Sequence, residues 1–358
     1  YNTVFGASGA DSITANNGTN VIDAGTEDDT ITANSGTNTI TAGDGDDTIN
    51  LNDGTNSVVA GSGVDTITVA SGTNTIDADE GDDLITLHDG YNTVFGASGA
   101  DSITANNGTN VIDAGTEDDT ITANSGTNTI TAGDGDDTIN LNDGTNSVVA
   151  GSGVDTITVA SGTNTIDADE GDDLITLHDG YNTVFGASGA DSITANNGFN
   201  VIDAGSEDDT ITANSGTNTI KAGDGDDTIT LNDGDNRVFA ASGADSITAN
   251  NGTNVINAGT EDDTITAHSG TNTITAGDGD DTVTLNAGDN TVFGASGADS
   301  ISINNGTNVI DAGTEDDTIT ANSGTNTITA GDGDDTINLN DGTNSVVAGS
   351  GVDTITVA

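Results

Sequence analysis

The feature that most constrains this chain is an 18-residue repeat that holds its register throughout. Residues 91–180 copy residues 1–90 without a change, and later segments copy them with edits. The third copy stops at Gly234. The next starts at Asp235, where Asp235-Asn236-Arg237-Val238-Phe239 stands for Tyr1-Asn2-Thr3-Val4-Phe5. Copies 181–234 and 235–288 have 54 residues against 90, a loss of twice 18, and 289–358 is a partial copy. Whole units of 18 have been removed, as a stacked architecture requires and globular packing does not.

Each unit holds two nonapeptides, as in Ala42-Gly43-Asp44-Gly45-Asp46-Asp47-Thr48-Ile49-Asn50 followed by Leu51-Asn52-Asp53-Gly54-Thr55-Asn56-Ser57-Val58-Val59. In Thr30-Ile31-Thr32-Ala33 and Thr48-Ile49-Asn50-Leu51 the second and fourth residues are apolar and the first and third polar, the period of a half-buried strand. Each nonapeptide therefore predicts one short strand preceded by a Gly/Asx-rich turn. Two strands and two turns make one coil, and coils stack in parallel at about 4.8 Å. The expected fold is an all-β parallel β-solenoid, a single continuous stack over 1–358 with 18 residues per coil and about 20 coils. Its core is a thin double row, with Ile31, Ile49, Ile67 and Ile85 facing Ile22, Ile40, Val58 and Ile76, and Ala24, Ala42 and Ala60 beside them.

Three columns run unbroken through the alignment of units. Gly recurs from Gly18 to Gly342, and Asn from Asn2 to Asn344. Asp stands at Asp11, Asp29, Asp47, Asp65, Asp83, Asp101, Asp119, Asp137, Asp155, Asp173, Asp191, Asp209, Asp227, Asp245, Asp263, Asp281, Asp299, Asp317, Asp335 and Asp353. Stacking brings successive carboxylates to about 4.8 Å, where two unit charges repel by about 3 to 4 kcal/mol at an effective dielectric near 20. Asp28, Asp44, Asp46, Glu80 and Asp82 crowd the same edge. At neutral pH such a column needs a divalent cation between coils. An all-oxygen site of carboxylates and turn carbonyls suits calcium rather than zinc or copper.

Charge points the same way. Sixty acidic residues face two basic ones, a formal net charge of -58. A polyanion repels phosphate, so nucleic acid is excluded as a partner and an anionic membrane surface is disfavoured. Apolar runs are two or three residues long, as in Val58-Val59-Ala60, so membrane insertion is not expected.

The stretch Gly43-Asp44-Gly45-Asp46-Asp47-Thr48-Ile49 resembles the repeats-in-toxin (RTX) nonapeptide G-G-x-G-x-D-x-U-x, with Ala42 in place of the first Gly. The resemblance implies a β-roll in which six residues form a calcium-binding turn and three a strand. It also implies that the turn aspartate gives side-chain oxygen and the turn gives carbonyls. There are departures: Ala7 and Asp79 replace the second Gly, and Glu27 the third. The alternate nonapeptide carries Asn in place of the motif's Asp, as in Gly54-Thr55-Asn56. This predicts a one-sided roll, with calcium along the Asp edge and a self-bonded amide ladder on the other. Calcium on the Asn edge through amide carbonyls is the alternative.

No coil carries a unique nucleophile, base or loop, so catalysis is not expected and there are no candidate catalytic residues. His88, His178 and His268 occupy a turn position otherwise mostly Asn and read as solvated replacements. Thr30 with Thr32, and Thr66 with Thr68, predict an outward Thr grid like that of ice-binding solenoids, broken by Ser12, Asn50 and Leu84. Phe5, Phe95, Phe185, Phe239 and Phe293 fall at outward strand positions with Tyr1, Tyr91 and Tyr181 in the preceding turn, candidates for lateral contacts between rods. The chain starts at Tyr1 and runs out partway through a coil without a polar cap, so an excerpt of a longer protein or end-to-end joining is expected. The expected role is a calcium-stabilised structural rod, a segment of an extracellular filament, surface layer or adhesin stalk at the cell surface, associating with itself end to end or laterally. The alternatives are an ice-binding module and an export or folding segment of a larger secreted protein.

Overall fold

The structure is a computed structural model that describes residues 1–358. It contains 40 β-strands and no helix, in a parallel β-solenoid of about 20 coils. The chain divides into two compact units, Tyr1–Ile175 with Asp179–Asn182, and Thr176–His178 with Thr183–Ala358.

In the first unit, long strands of eight residues such as Thr37–Asp44 alternate with short strands of four such as Thr48–Leu51. Each set forms its own parallel sheet, and every residue pairs with the one 18 positions on. Asn20, Asn38, Asn56, Asn74 and Asn92 are in register on the long sheet. On the short sheet Ile31, Ile49, Ile67, Ile85 and Ile103 are in register. The second unit repeats the pattern with Asn200, Asn218, Asn236 and Asn254 on one sheet and Ile193, Ile211, Ile229 and Ile247 on the other.

The period-two pattern makes this arrangement work, because alternate side chains of both sheets point into one slot. Ile22, Ile40 and Val58 with Ala24, Ala42 and Ala60 face Ile31, Ile49 and Ile67 with Ala33, Leu51 and Val69, all at most 2 % exposed. The core is therefore four columns wide. The column of Ala33, Leu51 and Val69 fills half of the short sheet's inner face.

The long strands run further than the sequence pattern predicts. Ala42, Gly43 and Asp44 belong to the expected turn, yet Gly43 pairs with Gly25 and Asp44 with Thr26. Coil-to-coil bonding also continues around both bends: Thr55 N–H donates to Gly36 O and Thr48 N–H to Asp29 O, each at 2.8 Å. The bends are partly exposed, yet their backbone groups still find partners in the neighbouring coil. The invariant Gly column follows from this. Gly36 has φ +99°, and a β-carbon there would collide with the Gly18 carbonyl of the preceding coil. Where the motif's other glycines are replaced, the backbone holds its course: Ala7, Glu27 and Asp79 have φ of 77°, 76° and 80°.

Candidate metal centre

In each unit the aspartates of the predicted site form a column along one edge of the core, each at the bend that leads into a short strand. Asp29 through Asp155 in the first unit, and Asp209 through Asp335 in the second, are 0–2 % exposed. Asp11 and Asp353, in the end coils, are half-buried.

Each carboxylate is held by its neighbour. Asp29 N–H donates to Asp47 Oδ1 at 2.7 Å, Asp47 N–H to Asp65 Oδ1 at 2.7 Å, and Asp209 N–H to Asp227 Oδ1 at 2.8 Å. The other oxygen, Oδ2, is buried without a hydrogen-bond partner at Asp29, Asp47, Asp65, Asp83 and onward to Asp155, and again from Asp209 to Asp335. A buried carboxylate oxygen with nothing to accept from is costly, and here the cost repeats from coil to coil.

In most coils an alanine of the core, such as Ala42 or Ala60, stands at the motif's first glycine position. In the coils that keep the motif's first glycine, a β-carbon on Gly96 would collide with both Asp101 Oδ2 and the Ala114 carbonyl oxygen of the next coil. Gly294 stands in the same relation to Asp299 Oδ2 and Ala312 O. Carboxylate and carbonyl oxygens thus converge from adjacent coils. No three His, Asp or Glu side chains gather at one point, so backbone carbonyls have to complete any cation's shell. That donor set, all oxygen with one carboxylate per coil, fits calcium.

The electrostatics agree. Burial pushes Asp47 and Asp65 up to about 6, Asp83 to about 7 and Asp119 to about 8. The N–H of the preceding aspartate pulls against this, and neighbouring carboxylates push further the same way. Asp209, Asp245, Asp263, Asp299 and Asp317 are raised to about 7 for the same leading cause.

The opposite edge is chemically complete. Asn20 Nδ2 donates to Asn38 Oδ1 at 2.8 Å, Asn38 to Asn56 at 2.7 Å and Asn56 to Asn74 at 2.7 Å. The second amide hydrogen goes to a carbonyl three residues back, such as Ser71 O for Asn74 at 3.2 Å. This is the predicted amide ladder, and none of its buried oxygens lacks a partner.

A second ladder, which the sequence reading missed, runs outside it with the opposite polarity. Asn34 Nδ2 donates back to Asn16 Oδ1 at 2.8 Å and Asn52 to Asn34 at 2.7 Å. His88 lies in this ladder, its Nδ1 3.2 Å from Asn106 Nδ2, and His268 bonds Asn286 in the same way at 2.8 Å. The histidines are therefore ladder members rather than merely solvated replacements. The signal was present in the 18-residue spacing of Asn16, Asn34 and Asn52.

The outer faces carry the remaining predicted features. Thr30, Thr32, Thr66 and Thr68 point outward from the short sheet, with Leu84 46 % exposed among them. Phe95 and Phe293 point outward from the long sheet, exposed by 41 % and 43 %. Tyr91 opens the long strand Tyr91–Ser98, paired with Thr73 and Thr109, and does not precede it in a turn. No helix is long and apolar enough to cross a membrane.

Comparison with known proteins identifies the repeat. The family model for the RTX calcium-binding nonapeptide repeat matches in overlapping segments from 2–31 through 320–355, which together cover residues 2–355. Among curated proteins none matches. A solved structure of a hyperactive, Ca2+-dependent, β-helical antifreeze protein from an Antarctic bacterium is similar at 22% identity, over 84% of this chain and 83% of that chain, with a TM-score of 0.42. With the family's motif matched in coil after coil, the chain belongs to the RTX calcium-binding nonapeptide repeat family and binds multiple calcium ions.

Proposed function

We propose that the chain is a calcium-stabilised structural rod, a segment of an extracellular filament, surface layer or adhesin stalk, with calcium held between coils by the Asp11 to Asp353 column. The observation that carries this is the line of buried Oδ2 atoms without hydrogen-bond partners, repeated from coil to coil in both units. Asp47, Asp65 and their equivalents would hold the ions, with carbonyl oxygens such as that of Ala114 completing the shell. Bound calcium supplies the positive charge that lets these carboxylates stay ionised while buried.

The chain's own groups do the positioning. The N–H of each preceding aspartate fixes Oδ1 and so aims Oδ2, and the apolar columns exclude water behind it. The amide ladder closes the far edge without an ion. Every coil repeats the same small site, and the RTX solenoid is a structural and binding module rather than an enzyme family. Many shallow, acidic sites suit the millimolar calcium found outside cells, which is the basis for placing the rod there.

Circular dichroism tests the reading. In calcium the chain should show a β-sheet spectrum, and a chelator at neutral pH should abolish it reversibly. A spectrum unchanged by the chelator would refute the proposal. Ice binding is the second reading, supported by the Thr pairs on the short sheet, and Leu84 and Asn50 interrupt that surface. An ice-recrystallisation assay separates the two.

A further inference from the structure

The chain's two cations stand close together on one face. In the second unit Asp203, Lys221 and Phe239 are in register on three successive long strands, and Arg237 pairs with Thr219 on one side and Val255 on the other. Lys221 Nζ lies 3.0 Å from Asp203 Oδ1, and both side chains remain exposed. Arg237 makes no ion pair: its guanidinium lies over the Phe239 ring, 4.7 Å from the centroid, on the exposed side of the sheet. Phe199, 46 % exposed, lies on the same face at the start of the Asp203 strand.

These residues are among several departures from the earlier repeat in this stretch, which also has Thr230 for Asn140, Asp235 for Tyr91 and Ala240 for Gly96. Phe199 stands where the earlier repeat has Thr109, Lys221 where it has Thr131, and Arg237 where it has Thr93. On the outward face of the long sheet three of these changes replace small hydroxyls with two cations and a large ring, and a fourth puts the exposed Asp235 two residues from Arg237. The same face elsewhere has the complementary character. On the first unit's long sheet Asp77, Phe95 and Asp113 are in register, an exposed ring between two carboxylates.

The geometry points to this patch as the contact with a second copy of the chain, in which Arg237 and Lys221 meet the outward carboxylates Asp77 and Asp113 while the exposed rings pack beside them. A guanidinium braced on a ring and not paired within its own chain keeps its fork of donors for a carboxylate. The occupant is chosen by local complementarity, a ring flanked by two outward carboxylates at Asp77, Phe95 and Asp113 facing a ring flanked by two cations, and bound calcium lowers the repulsion that the net charge of -58 sets between copies. The inference rests on the proposed rod and names its lateral contact.

Sedimentation velocity on the full calcium-loaded chain tests it, comparing the wild type with K221T/R237T and with D77N/D113N. The Lys221→Thr and Arg237→Thr changes restore residues that the equivalent positions already carry, so the variant folds as the other coils do. At physiological salt, where repulsion between acidic copies is screened, the wild type should form larger species, and each double variant should associate roughly tenfold more weakly with unchanged circular dichroism. A wild type that stays monomeric over the concentration range, or variants that associate as strongly as the wild type, would overturn the contact. Chelator-resistant folding in the same samples would instead count against the calcium rod, so the two failures are told apart.

Discussion

Removing calcium should make this chain an acid-stable protein. The buried aspartates have folded pKa values raised from 3.8 to about 6 at Asp47, about 7 at Asp83 and about 8 at Asp119. A raised carboxyl binds its proton more tightly in the folded state, so its neutral form favours folding and its ionised form opposes it. Stability is therefore highest below the unfolded value near 4 and is lost as pH rises through the folded values, from about 6 to about 8. At pH 7 the cost is roughly 3 kcal/mol for a group at about 6 and roughly 4 kcal/mol for one at about 8. Three or four such sites already match a typical domain's whole stability of about 5–15 kcal/mol, and the column has many more. The metal-free chain should thus show a β-sheet spectrum near pH 4 and lose it by about pH 8, while calcium added at the higher pH restores it. Far-UV circular dichroism in calcium-depleted buffers reads this directly. A metal-free chain that is folded at neutral pH and no more stable in acid would refute the reasoning, because the buried charge would then have another partner.

Other perturbations separate the two edges. Asp65→Asn keeps the Oδ1 acceptor for Asp47 N–H and removes the charge, so calorimetric titration should find calcium uptake reduced at that step while the metal-free chain gains stability at neutral pH. Asn56→Ala leaves Asn38 Nδ2 without its acceptor and Asn74 Oδ1 without its donor. That should cost about 2–4 kcal/mol, read as a lowered denaturant midpoint that calcium does not rescue. Gly36→Ala forces a β-carbon against the Gly18 carbonyl at positive φ and should destabilise by more than about 1 kcal/mol, whereas Glu27→Gly relieves a strained φ of 76° and should gain about 1 kcal/mol by the same measurement.

The parts of this fold that could be read from sequence are those in which one residue type repeats without interruption. The register, the apolar columns and the inner amide ladder follow from 18-residue spacing combined with alternation, because a stack permits only one pairing for each position. The crowding of carboxylates along the Asp edge was legible from their 18-residue spacing. The way each carboxylate is held was not. The bond from Asp29 N–H to Asp47 Oδ1 depends on how the bend aims a backbone N–H, which composition does not encode. The extension of the long strands through Gly43 was hidden for a similar reason: glycine is a poor strand former, and only the neighbouring coil's carbonyls hold it in line. His88 is the exposed replacement for Asn that the sequence implied, and what stayed hidden is that its ring nitrogen takes the amide oxygen's part in the outer ladder.

The central claim is that calcium sits between coils on the Asp edge. A crystal structure grown in calcium, with the ions located by anomalous scattering, tests it most directly. The account predicts ions beside the buried Oδ2 atoms of Asp47, Asp65, Asp83 and their equivalents, each shared with a backbone carbonyl of an adjacent coil, and none along the Asn20 to Asn326 ladder. Ions confined to the exposed carboxylates Asp28 and Asp46, or bound to the asparagine edge, would contradict it.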